Sequence, residues 1–135
     1  MPTLYIHAGL MTTALLLALS GGLIAMLFRR RLWWLPYHRF LEIGGGLFIG
    51  AGFAAAIIMV SLSGGQHFSA FHPWLGLTTV LMAPATISLG FLQLSRRIKK
   101  TARPVFRQLH RWSGRMTLTL LIVSLLLGLH LAGVV

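Results

Sequence analysis

Long uncharged, apolar stretches alternate with short, strongly basic ones along this chain, and the alternation predicts its architecture. Residues 1–28 carry no charged side chain; Arg29, Arg30, Arg31 and Arg39 then crowd together, and residues 43–95 are again uncharged. A second basic run follows, with Arg96, Arg97, Lys99, Lys100, Arg103, Arg107, Arg111 and Arg115, before a last uncharged stretch over 116–135. A helix needs roughly 20 apolar residues to cross about 30 Å of hydrocarbon at 1.5 Å rise per residue. The first and last stretches each supply one crossing. The middle one is too long for a single crossing and is interrupted between Ser61 and Pro73, where Gly64, Gly65 and Pro73 are turn signals. The pattern therefore predicts an all-α membrane protein, a single domain over 1–135 with up-down four-helix transmembrane topology and helices at about 4–28, 36–62, 70–94 and 106–133.

Four crossings place both basic clusters on one side, and both termini with the 61–72 loop on the other. All twelve Lys and Arg fall on the first side. Cytoplasmic loops are the ones enriched in Lys and Arg, so the basic side is predicted to be cytoplasmic, both termini non-cytoplasmic, and the protein to sit in the cell (inner) membrane. Aromatic residues agree with these boundaries: Trp33, Trp34, Tyr37 and Trp112 fall at the inner one, Tyr5, Phe68, Phe71 and Trp74 at the outer one. The first helix lacks the basic leader of a signal peptide and is expected to be retained.

Composition narrows the chemistry. Of 135 residues 56% are hydrophobic and 10% charged, where soluble domains have about a quarter charged. A net charge of +11 would suit a nucleic-acid binder, but cations confined to the ends of apolar helices are topology signals, so no nucleic-acid partner is expected. Glu42 is the single acidic residue and cysteine is absent. Paired-carboxylate catalysis, Ser-His-Asp relays, thiol nucleophiles, disulfides, iron–sulfur clusters and thiolate zinc sites are thereby excluded.

Histidine remains, at His7, His38, His67, His72, His110 and His130. His7 and His72 fall near the outer starts of helices 1 and 3, and His38 and His110 near the inner starts of helices 2 and 4. Depth alone sorts them into an outer and an inner pair. A lone histidine at a helix end is usually an interfacial side chain, but one at the start of every helix is harder to dismiss that way. Two histidines from facing helices can hold one haem axially in a bundle core. Gly76 and Gly114 follow His72 and His110 at i+4 and expose bare backbone on the same face one turn deeper, where a porphyrin could lie. The glycines of helix 2, Gly44, Gly45, Gly46, Gly50 and Gly52, are equally suited to close helix packing.

Taken together, His7 through Met11, Trp34 with His38, the run from His72 through Pro73, Trp74 and Leu75 to Gly76, and the run His110, Arg111, Trp112, Ser113, Gly114 and Arg115 resemble the core of the cytochrome b561 family in its eukaryotic-type form. The resemblance spans nearly the whole chain. It implies a transmembrane electron carrier with two b-type haems, and carries the ligand roles onto His7 with His72 and onto His38 with His110, the pairing that depth gives. Family members typically have six helices; the resemblance implies that the four here correspond to the ligand-bearing core, expected either as a minimal form or with partner subunits covering its sides. The resemblance also implies ascorbate- or ferric-reductase-like chemistry, with a small anionic reductant or a haem propionate near Lys99, Lys100 and Arg103. Topology and lipid contact are the plainer roles for those cations.

Two other readings stand beside this one. A small chain with glycine-rich faces would serve as an anchoring or assembly subunit, partnered by membrane lipid, other membrane or redox subunits, or a second copy of itself. Alternatively, His7, His67, His72 and His130 would form a divalent metal site at the outer face. Glu42, one turn beyond His38, is expected to pair with Arg39 or with an arginine at the entrance of helix 4. Pro84, in mid-span, is expected to kink helix 3 and shape the space between the two sites.

Overall fold

The computed structural model describes residues 2–133. It contains four helices: α1 (Pro2–Leu27), α2 (Trp34–Leu62), α3 (Phe71–Leu92) and α4 (Arg103–Leu131). All four are long and apolar enough to cross a membrane, and no strand occurs among the described residues. This is an all-α integral membrane protein.

Helix ends follow local chemistry. α2 stops where Gly64 adopts φ +66, a left-handed conformation that costs glycine no Cβ clash. Gly65 N–H then reaches back to the Val60 carbonyl at 3.1 Å and Gly64 N–H to that of Ser61 at 3.3 Å, satisfying two of the last carbonyls. Gly133, at φ +71, closes α4 by donating to the His130 carbonyl at 3.0 Å. α4 starts at Arg103, three residues before the expected position, because Pro104 fits the first turn, where no intrahelical N–H is needed. His110 consequently lies two turns inside α4 rather than at its entrance. α3 ends at Leu92, two residues early, and continues unbroken across Pro84, which removes the N–H that the Val80 carbonyl would have bonded. Val80 and Pro84 line a lipid-depth cavity of about 350 Å³ between α2 and α3, with Ile43, Gly46, Leu47, Gly50 and Ile87.

The helices pack as two antiparallel hairpins, α1 on α2 and α3 on α4, which meet along a thinner seam. Glycine sets the first contact: a Cβ on Gly45 would stand 3.4 Å from the Ala14 carbonyl oxygen, so the α1 and α2 backbones nearly touch. The buried centre is small. Met11, Ala14, Ile49, Ala83 and Leu121 form it, with Thr79, Thr86 and Ser124 as its buried polar members. Most large side chains point outward, among them Leu16, Leu23, Leu47, Leu81 and Leu126. Such a surface would aggregate in water and is the expected one where the solvent is lipid.

Candidate haem sites between the helix hairpins

His7, His38, His72 and His110 all point inward, and each spends one ring nitrogen on the helix beside it. His7 Nδ1 lies 2.8 Å from the Gly52 carbonyl, and in return His38 Nδ1 lies 3.0 Å from the Gly21 carbonyl, so α1 and α2 exchange one contact each. The second hairpin repeats the exchange: His110 Nδ1 is 2.9 Å from the Thr86 carbonyl, and His72 Nδ1 is 3.4 Å from the Ser124 hydroxyl. A carbonyl oxygen only accepts, so His7, His38 and His110 must each be the donor through Nδ1–H. In the neutral ring that assigns the lone pair to Nε2.

The register behind these contacts is regular. Each acceptor residue lies fourteen positions after the histidine of its own helix: Gly21 after His7, Gly52 after His38, Thr86 after His72, and Ser124 after His110. Fourteen residues are close to four turns and rise about 21 Å, so histidine and acceptor share a helix face at two different depths. When two such helices run antiparallel, each histidine meets the other's acceptor.

Across the seam the histidines meet in twos. His7 and His72 have ring centroids 6.2 Å apart with planes at 84°, and His38 and His110 are 6.1 Å apart at 79°. The second pair lies at the end of the bundle that carries the basic loops, the first at the opposite end. The two pairs expected from depth are thus the two that the fold brings together.

Close approach depends on glycines other than those singled out in the sequence. A Cβ on Gly90 would stand 3.0 Å from His110 Cε1, and one on Gly128 would stand 3.0 Å from His72 Cε1. Gly76 behaves differently, since a Cβ there would meet nothing within 4 Å; one on Gly114 would meet Thr86 Cγ2 at 3.7 Å. Both leave bare backbone one turn along from a paired histidine.

Other expectations fare differently. Glu42 does not pair with an arginine: among the described residues its one ionisable neighbour within 4.0 Å is His38, with Oε1 3.6 Å from Nδ1. Arg39 instead lies over the Phe91 ring at 5.4 Å, and Arg115 over Trp112 at 5.3 Å. The Arg39 guanidinium is thus turned toward α3, whereas the Glu42 carboxylate fills the space over Gly21 on α1. His67 sits in the loop between α2 and α3, its Nε2 3.2 Å from the Ser61 hydroxyl. Among the described residues no three His or Glu side chains converge on a common point, so the divalent site imagined for His7, His67, His72 and His130 does not form. At the basic end Arg103 Nη2 donates to the Ser95 carbonyl at 3.3 Å and ties the α3–α4 loop to α4.

The chain matches the family described as eukaryotic cytochrome b561 over residues 6–134, nearly its full length. It belongs to that family. Cytochrome b561 membership supports transmembrane electron transfer by haem b, and the four apolar helices supply the membrane-spanning frame. No curated protein and no solved structure matches the chain. The donor set suits a haem: in this cytochrome b561 core, two imidazoles face each other at each end, with Nδ1 already engaged and glycine backbone beside them.

Proposed function

We propose that the protein carries electrons across the membrane on two b-type haems, one held by His7 and His72 and the other by His38 and His110. The observation that carries this reading is the matched geometry of the two pairs. An imidazole nitrogen stands roughly 2 Å from a transition metal it ligates, so two imidazoles sharing one ion hold their ring centroids about 6 Å apart. Both pairs meet that spacing, at 6.2 and 6.1 Å. The Nδ1 contacts to neighbouring helices are the outer-shell hydrogen bonds that fix tautomer and ring orientation in histidine-ligated metal sites. Bound there, the haems would supply reversible one-electron chemistry; the chain's residues hold and orient them, exclude water and set the surrounding polarity.

The uneven distribution of Lys and Arg supports a cytoplasmic location for the basic loops in a cell (inner) membrane. Gly76 and Gly114 leave room beside His72 and His110 for a flat macrocycle. The exposed apolar flanks suit lipid and neighbouring membrane subunits, and the cationic 96–103 loop suits a small anionic reductant.

The test is direct. Protein purified from haem-replete cells should carry two haems per chain and show a reduced-state haem b absorption band. Replacing His38 or His110 with Ala should leave one haem per chain. A wild-type protein free of haem would sink the proposal.

A further inference from the structure

The two hairpin-internal contacts of α1 and α2 are related by the same spacing, yet they differ in one side chain. Met11 is four residues beyond His7, and Glu42 four residues beyond His38, so each lies one turn along on its histidine's face. Each also covers the glycine whose carbonyl takes that histidine's proton. A Cβ on Gly52 would stand 2.6 Å from Met11 Sδ, and a Cβ on Gly21 would stand 2.6 Å from Glu42 Oε1. Both glycines are therefore held bare by the side chain opposite. The consequence is an asymmetry between otherwise equivalent sites: the His7 imidazole has a thioether beside its hydrogen bond, and the His38 imidazole has a carboxyl oxygen 3.6 Å from its Nδ1. In the second hairpin the corresponding positions are Gly76 and Gly114, which place no side chain there at all.

We propose that Glu42 is a positioning residue that acts through His38 to lower the reduction potential of the haem at the basic end. This rests on the two-haem reading above. The Gly21 carbonyl holds the Nδ1–H of His38; a carboxylate beside that hydrogen-bonded, non-ligating nitrogen stabilises positive charge on the ring and so makes the imidazole a stronger electron donor to the metal. Net charge and hydrogen bonding around the cofactor are the protein's levers on haem potential, and an electron-rich ligand favours the oxidised state. Eight Lys and Arg at 96–115 and four at 29–39 push the other way at this end of the bundle, since positive charge favours the reduced state. Glu42 is the sole acidic side chain available to oppose them, and it sits against the ligand rather than against the cations.

The experiment is a mediated redox titration of the purified haem-loaded protein, followed by absorption. Each site exchanges one electron with the mediator, and no bond is made or broken. In a His72→Ala background, where only the basic-end haem should remain, its midpoint can be read alone. Glu42→Gln keeps the shape and hydrogen-bonding capacity of the side chain; Glu42→Met copies the arrangement around His7 and suits a lipid environment. Both should move that midpoint upward, while in a His110→Ala background neither should move the midpoint of the remaining haem. A purely steric role would be met by Gln and leave the midpoint at its original value, and that outcome overturns the proposal. Loss of the two-haem stoichiometry in the wild-type protein would instead overturn the reading beneath it.

Discussion

His38 and His110, at the basic end, both give Nδ1–H to a backbone carbonyl of the adjacent helix, whereas at the opposite end only His7 does so and His72 turns to the hydroxyl of Ser124. A carbonyl of a helix is fixed by the helix and can only accept. A serine hydroxyl rotates, and accepts or donates as the proton on the ring requires. Three of the four imidazoles thus have their tautomer imposed by the backbone, and the fourth has it left to a side chain. The 3.4 Å separation at His72 is also the longest of the four. The two sites share a spacing and a fold but differ in how firmly each ring is held, and the difference lies in the second hairpin, where hydroxyl residues stand at the positions that glycine fills in the first.

The largest effects should come from removing ligands, and they decide whether the two sites are independent. His7→Ala should remove the haem at the far end and leave a spectrum belonging to the basic-end site, and His110→Ala should give the complementary spectrum. Each should lower the haem content from two per chain to one. If either substitution emptied both sites, the comparison between the two ends would lose its basis.

Ser124→Ala comes next. It leaves His72 in place and takes away only its buried partner. Loss of an outer-shell hydrogen bond to a ligating histidine typically costs 10–100-fold in metal affinity. Far-end haem affinity should therefore fall by about tenfold, measured by haem transfer to an acceptor protein, and the basic-end site should hold its haem as before. Equal loss at both ends would show that Ser124 acts on the bundle as a whole.

A smaller effect should follow from adding a methyl group beside each second-hairpin histidine. At Gly90 and Gly128 the new Cβ would stand 3.0 Å from a ring carbon, so His110 or His72 must yield by a few tenths of an ångström. Alanine is the better helix former by about 1 kcal/mol, and the chain itself should unfold no more easily. Gly90→Ala should weaken haem binding at the basic end and Gly128→Ala at the far end, each by a few-fold, with the His72 site giving way more because its hydrogen bond is the weaker. Haem-release rates compared between the two variants test that order.

How much of this was legible in the sequence varies with the kind of contact. The four helices and the pairing of His7 with His72 and His38 with His110 follow from hydropathy and the sorting of charge, because the membrane imposes length and side on every segment. The acceptors of the Nδ1 protons left a fainter trace. Gly21, Gly52 and Thr86 act through carbonyls, which every residue has, and only the common fourteen-residue offset from each histidine marks them. The glycines that touch His72 and His110 are Gly128 and Gly90, on the neighbouring helix, whereas reasoning along a single helix leads to Gly76 and Gly114. Contacts between helices depend on register across the hairpin, and periodicity within one helix does not report it. Glu42 misleads for a related reason: charge alone suggests an arginine partner, but the space that accepts its carboxylate is made by Gly21, a residue without a side chain on a different helix.

The smallest effect separates backbone from side chain at equivalent positions. Thr86 and Ser124 occupy the same place in the register of α3 and α4, and both are buried. Thr86 serves His110 through its carbonyl, and its hydroxyl is engaged elsewhere, 3.2 Å from that of Thr117. Thr86→Ala keeps the carbonyl and loses only the hydroxyl pair, a change on the order of 1 kcal/mol in stability. It should therefore leave haem affinity and midpoint at the basic end nearly unchanged, in contrast to Ser124→Ala at the other. If the two alanine variants released haem equally fast from their respective sites, the backbone carbonyl would not be the group that holds His110, and the distinction between the two ends would have to be sought in the ligands themselves.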